Sequence, residues 1–183
     1  MTTTHENHEG HDAGRHEAAA VPPIVDRDSW QAARDELLVR EKAHMRAGDA
    51  IAAARRRLPM TEVDVSTTVV GPDGPRTMLD LFEGREELVV YRHMWFPGEP
   101  FENQCEGCTM TYWATQNLSA YLNARGVSFA VFAEGLYAEL APFIEFMGYP
   151  RHWYSTADVE DDLVRGDGYG AWTCWLRQDD RVF

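Results

Sequence analysis

The sequence predicts an α/β fold, with a mixed central sheet flanked by helices and preceded by a long N-terminal helix and a hairpin. Residues 88–91 and 127–133 are short apolar runs with the composition of strands covered on both faces. A segment with apolar residues at helical spacing follows each run, and this alternation is typical of parallel strands. The chain of 183 residues is long enough for one domain with an ordinary core.

The charge of the chain excludes several classes of partner. It has 30 acidic against 17 basic residues, a formal net charge of -13, and no long basic run. Such a surface repels phosphate backbones and anionic lipids, so we expect neither nucleic acid nor membrane as a partner. The N-terminus lacks the basic start and apolar stretch of a secretory signal, and no later run has the length of a membrane span. We therefore expect a cytoplasmic location.

The first 23 residues are a histidine-rich segment. Four histidines lie among Glu, Asp, Gly and Thr residues, at His5, His8, His11 and His16. With almost nothing apolar to bury, residues 1–23 are predicted to be a disordered tail. Several imidazoles on a flexible chain can chelate a metal, although no fold fixes them, so metal capture by the tail stays an open alternative.

Residues 24–60 carry the predicted N-terminal helix. Asp26 or Asp28 can cap it, its body runs from about Ser29 to Arg57, and Pro59 stops it. Its apolar stripe is patchy and consists of Trp30, Ala33, Leu37, Met45 and Ala52. This stripe can pack across the domain or against a second copy of the chain, so a homodimer through the helix is one expectation.

Residues 61–183 are predicted to form the main domain. Alternating apolar residues from Val63 to Val69, followed by a Gly-Pro-Asp-Gly turn at 71–74, indicate an edge strand and hairpin. A second helix is expected to run from the cysteine motif to a C-cap at Gly126. A third helix covers 136–147, kinked or started by Pro142. A strand at 171–176 and a turn at 178–180 add an antiparallel edge.

Cys105 and Cys108 form a Cys-x-x-Cys motif at the start of the second helix. The order apolar strand, loop, dithiol and helix is the thioredoxin-like arrangement, in which free N–H groups and the helix dipole stabilise a thiolate. We expect Cys105 to attack a disulfide and Cys108 to resolve the mixed disulfide. Glu106 opposes a thiolate, and only Arg92 and His93 lie near enough in sequence to offset it.

Two other interpretations of the dithiol remain open. The cysteines can supply half of a zinc site, which needs four ligands, and the remaining candidates are His93, His152 and Cys174. Alternatively they are small residues in a helix turn. Cys174 lies between Thr173 and Trp175 in an apolar strand and is predicted to be an inert buried thiol.

A resemblance to a known family covers residues 25 to 183. The matching segments lie at residues 28–34, 56–59, 79–82, 88–91, 105–108, 122–125 and 127–131. In this order they resemble the thioredoxin-like bacterial family called domain of unknown function 899. The resemblance implies a thioredoxin-like fold. Family members usually continue past the point that matches Phe183, through another strand and a helix, so it also implies a chain shortened at its C-terminus.

The motif departs from two better known groups. Thioredoxins place a Trp before the first cysteine and a cis-proline before the third core strand, whereas Gln104 precedes Cys105 and no proline follows Pro150. Peroxiredoxins have Pro-x-x-x-Thr/Ser-x-x-Cys, and relative to Cys105 these positions hold Gly98 and Glu102. A peroxidase of that type is not expected.

The sequence therefore predicts a thiol-disulfide oxidoreductase that uses Cys105 and Cys108, needs no cofactor or metal, and exchanges electrons with a protein or small-molecule disulfide. One alternative is a non-catalytic thioredoxin-like module for binding or dimerisation. The other is a metal-binding protein that uses the dithiol.

Overall fold

The computed structural model describes residues 21–166 and 168–183. The predicted tail falls almost wholly outside these ranges. The chain divides into two units, Met1–Leu58 and Pro59–Phe183. None of the helices within the described ranges is long and apolar enough to cross a membrane.

The described part of the first unit is built on helix α1, Arg27–Arg55. Asp26 caps it, accepting hydrogen bonds from the Ser29 N–H at 2.8 Å and the Ser29 hydroxyl at 2.9 Å. These bonds hold the pKa of Asp26 below its ordinary value. The predicted N-terminal helix is confirmed, with a start two residues earlier and an end two residues earlier than expected. It has no buried residue, and Trp30 is 55% exposed.

The second unit contains a seven-stranded sheet with the spatial order β2-β1-β5-β4-β3-β6-β7. The strands are β1 Thr68–Gly71, β2 Gly74–Thr77, β3 Glu87–Arg92, β4 Val127–Ala133, β5 Trp153–Ser155, β6 Trp172–Gln178 and β7 Arg181–Val182. Strands β3, β4 and β5 are parallel, and all other pairs are antiparallel. The mixed central sheet is confirmed.

Within residues 59–166 and 168–183, four α-helices accompany this sheet: α2 Glu106–Thr115, α3 Leu118–Asn123, α4 Tyr137–Met147 and α5 Asp162–Arg165. The prediction of a single helix between the cysteines and Gly126 is wrong, because the helix is interrupted at residues 116–117, between α2 and α3. Pro142 lies inside α4 and does not start it, and Gly148 ends α4 with a φ of 64°. The short elements β5 and α5 were not predicted, because three or four residues carry too little periodicity.

The hairpin is present, but its first strand is shorter than predicted. Regular pairing begins at Thr68, and Val63 makes only an isolated bridge to Val182. Asp64 causes the interruption, because its side chain and carbonyl accept the N–H groups of Ser66 and Thr67 and form a turn. The edge strand on this side of the sheet is β2 and not β1, since β1 pairs with β5.

The sheet separates two hydrophobic cores. Leu88 and Val90 of β3 point into one core, and Tyr91 points into the other. The second core is largely aromatic, and it contains Tyr112 of α2 and Phe143 of α4. The rings of Tyr91 and Tyr112 stack with centroids 6.2 Å apart. This packing attaches α2, and with it the dithiol, to the central strand β3.

Candidate functional site

The structure brings Cys105 and Cys108 together in the first turn of α2. Cys105 is the N-cap residue, and its sulfur accepts a hydrogen bond from the Cys108 N–H at 3.4 Å. Both cysteines are free thiols. Cys105 is half-buried, whereas the Cys108 side chain is only 4% exposed. Of the two thiols, Cys105 is therefore the more accessible to solvent.

The Cys108 sulfur lies in a nearly closed environment. The Met94 N–H donates to it at 3.4 Å, and a Cβ on Gly170 would lie 3.9 Å from it. The Tyr91 hydroxyl donates to the Cys108 carbonyl at 3.4 Å. Burial raises the pKa of the Cys108 thiol, and the Met94 N–H opposes this only in part. The raised pKa keeps the Cys108 thiol protonated near pH 7.

His93 fixes the backbone of Met94 beside that sulfur. Its Nδ1 lies 2.8 Å from the Met94 carbonyl oxygen, and since a carbonyl only accepts, Nδ1 carries the proton. Burial lowers the pKa of His93 to about 4, so the ring is neutral near pH 7. Its Nε2 has no hydrogen-bond partner among residues 21–166 and 168–183.

Arg92 fastens the segment that shelters Cys108. Its guanidinium donates to the carbonyls of Leu163 and Val164 at 2.9 Å and to that of Arg165. Its own carbonyl accepts from the Gly170 N–H at 2.8 Å. From the sequence, Arg92 can be considered only as a charge near the dithiol. Its hydrogen bonds to the backbone of residues 163–165 could not be predicted, because backbone carbonyls occur in every sequence.

In the sequence, Arg92 and His93 are the candidates for offsetting the charge of Glu106, and the structure places neither as a positive charge beside the dithiol. The Arg92 guanidinium lies over Phe132, in the core on the other face of the sheet. His93 is neutral because it is buried. The Cys105 sulfur instead accepts a hydrogen bond from the backbone N–H of Cys108 at 3.4 Å.

The prediction for Cys174 is also wrong, because this thiol is exposed. Cys174 pairs with Val89 of β3, so it belongs to the face of the aromatic core. On that face α3 packs against β4 and α4 against β5, away from β6. Trp172, two residues earlier on the same face, is 40% exposed. The apolar composition of β6 suggested burial on both faces, and composition alone does not show that one face of this strand is exposed.

His152 is a packed residue. Its Nε2 lies 2.9 Å from the Tyr112 hydroxyl, and its ring makes an edge contact with Phe129. Burial lowers its pKa to about 4. Within the described ranges, no three His, Cys, Asp or Glu side chains are grouped so that they could hold a metal ion. The zinc alternative with His93, His152 or Cys174 therefore has no ligand cluster in this part of the chain.

The loop between β3 and α2 is anchored to α4. Trp95 donates its indole N–H to Glu139 at 3.3 Å, and a Cβ on Gly135 would overlap the indole ring. Further along, Phe101 lies 5.5 Å from Phe143, centroid to centroid. The approach to Cys105 is therefore an ordered part of the fold.

Comparison with solved structures gives distant matches. One is a hypothetical protein from Sinorhizobium meliloti 1021, with 13% identity, a TM-score of 0.45, and coverage of 68% of this chain and 69% of that one. Another is a putative thiol:disulfide interchange protein DsbE from Chlorobium tepidum, with 15% identity, a TM-score of 0.41, and coverage of 67% and 81%. A thioredoxin family thiol:disulfide interchange protein from Chlorobium tepidum TLS has 13% identity, a TM-score of 0.42, and coverage of 65% and 80%.

Comparison with curated proteins gave no match. The family model described as a bacterial protein of unknown function, DUF899, matches residues 19–183, which is most of the chain. The resemblance seen in the sequence is thereby confirmed, and the α/β fold, with a strand, a dithiol and a helix in that order, is as predicted. The chain belongs to the DUF899 family.

Proposed function

We propose that this protein is a thiol-disulfide oxidoreductase. The observation that carries the proposal is the placement of the dithiol, with half-buried Cys105 at the N-cap of α2 and buried Cys108 one turn later. An exchange enzyme needs one thiol that a partner can reach and a second that reacts only afterwards. The difference in exposure between the two cysteines supports this division of roles.

The reaction proceeds in two exchanges. The Cys105 thiolate attacks one sulfur of the partner disulfide, forms a mixed disulfide, and releases the other sulfur as a thiolate that takes up a proton. Cys108 then loses its proton and attacks the Cys105 sulfur. This step forms the Cys105–Cys108 disulfide and releases the second partner thiol. Two electrons pass from the dithiol to the partner, and an external thiol restores the reduced protein.

The high pKa of Cys108 suits the second step. While its thiol stays protonated it does not compete with Cys105 for the incoming disulfide. The proposal assigns the reaction to the cytoplasm, where the thiol pool can reduce the resulting disulfide. Protein and small-molecule disulfides are both proposed partners.

Homodimerisation through α1 is a second proposal, on separate evidence. This helix buries none of its residues, and Trp30 and Leu37 are 55% and 45% exposed. A second copy of the chain would cover the apolar stripe of α1. Such a dimer agrees with the alternative that the protein is a binding module.

The exposed carboxylates close to Cys105 in the sequence predict a preference for positively charged disulfides. Glu99, Glu102 and Glu106 are exposed, and no Lys or Arg occurs in the sequence between Arg92 and Arg125. At low salt we expect the reduced protein to react with cystamine, a dication, about tenfold faster than with the dianion dithiodiglycolate. The rates are measured by stopped flow and divided by those of dithiothreitol with the same reagents.

The matched control replaces the three glutamates with glutamine. This variant should react with the two reagents at nearly equal normalised rates, as should the wild type in high salt. Equal normalised rates for the wild type at low salt would contradict the charge preference. An absence of reaction with either reagent would contradict the oxidoreductase itself.

A further inference from the structure

Gln104, the residue immediately before Cys105, is buried and fully hydrogen-bonded. Its side chain is 5% exposed. The amide oxygen accepts from the Phe96 N–H at 2.9 Å, and the amide nitrogen donates to the carbonyls of Phe96 at 2.9 Å and Glu99 at 3.0 Å. Both ends of the amide therefore bind the backbone at the start of the loop.

These bonds close residues 96–104 into a ring that ends at Gln104, directly before Cys105. A further bond joins the Gln104 N–H to the Phe101 carbonyl at 3.2 Å. A buried polar side chain with three partners is held in one conformation, since each lost bond would leave a buried group unsatisfied. The position of Gln104 in turn restricts where the N-cap residue Cys105 can lie.

The other attachments of the loop do not depend on Gln104. Trp95 contacts Gly135 and Glu139, and Phe101 packs against Phe143. Both attachments lie earlier in the loop than the thiol. Loss of the Gln104 bonds would therefore leave the loop on α4 and release only the residues that lead into Cys105.

We propose that Gln104 is the positioning residue of the dithiol, holding Cys105 at the start of α2 within reach of Cys108. The inference rests on the proposed function, because it assigns Gln104 a part in the Cys105–Cys108 redox couple. A fixed Cys105 raises the effective concentration of one thiol at the other and so favours their disulfide. Gln104 itself takes no part in the exchange and affects it only through the position of Cys105.

The test compares Gln104→Glu and Gln104→Met with the wild type. Glutamate keeps the acceptor and loses both donors, whereas methionine has a similar shape and loses all three bonds. We expect the dithiol in each variant to be about tenfold harder to oxidise, a shift of about 30 mV toward less negative potential. The rate of Cys105 alkylation by iodoacetamide should also change severalfold, and it can be measured without any disulfide.

Asn103→Asp is the matched control, because it adds the charge of Gln104→Glu at the neighbouring exposed position. It should leave both readouts near the wild type. Variants that lose thermal stability but keep the wild-type potential and alkylation rate would show a merely structural role and overturn the proposal. Equal shifts in Asn103→Asp and Gln104→Glu would also overturn it. If the wild type forms no disulfide, the oxidoreductase proposal fails, and the alkylation rates still decide the role of Gln104.

Discussion

Replacing Cys108 with serine is expected to trap the partner on Cys105 as a stable mixed disulfide. The serine hydroxyl cannot attack the Cys105 sulfur, so release depends on a free thiol from solution. Because the intramolecular reaction has the advantage of proximity, the lifetime of the adduct should increase by about a hundredfold or more. Intact-protein mass spectrometry after addition of hydroxyethyl disulfide measures the adduct over time.

The experiment requires a Cys174→Ser background, because the exposed Cys174 thiol would give an adduct of its own. In that background Cys105→Ser should give almost no adduct, since Cys108 is buried. An adduct that forms on Cys108 as fast as on Cys105 would contradict the assigned roles. So would a Cys108→Ser adduct that decays as quickly as that of the parent protein.

Mild acid is expected to destabilise the fold through His93 and His152. Burial lowers the pKa of each to about 4, whereas the unfolded chain binds the proton near the ordinary value of 6.5. Between these values the unfolded state holds more protons, so stability is full above about pH 6.5 and falls as the pH decreases toward 4. From pH 7 to pH 5 the free energy of unfolding should fall by about 2 kcal/mol per histidine.

Urea titrations at pH 7, 6 and 5 measure this loss. His93→Gln and His152→Gln should each lower stability at pH 7 and flatten the pH dependence, because glutamine does not titrate. His44→Gln, on the exposed surface of α1, controls for the removal of a histidine. A wild-type stability that is constant from pH 7 to pH 5 would contradict the neutral state of the buried His93 and the half-buried His152.

The sequence predicted the elements whose pattern is local. The apolar run before the dithiol became β3, Asp26 capped α1, and Gly148 ended α4. Each of these follows from composition or from a single capping residue. The spacing of Cys105 and Cys108 likewise predicted a shared helix turn.

Features that depend on tertiary contacts could not be predicted in this way. Arg92 is near the dithiol in sequence, yet its charge lies on the opposite face of the sheet, since side chains alternate along β3. Cys174 lies in a mainly apolar stretch of sequence but on the part of the sheet away from α3 and α4. Gln104 appeared only as a departure from thioredoxins, because its partners are backbone groups that any sequence provides.

The most direct test of the oxidoreductase proposal is a redox titration of the wild-type protein. The protein is equilibrated at a series of dithiothreitol ratios, free thiols are alkylated, and the mass of the peptide with Cys105 and Cys108 is measured. The proposal predicts one cooperative two-electron transition in which the two thiols disappear together, at a potential that cellular thiols can reach. Two cysteines that remain alkylatable under every oxidising condition would contradict it.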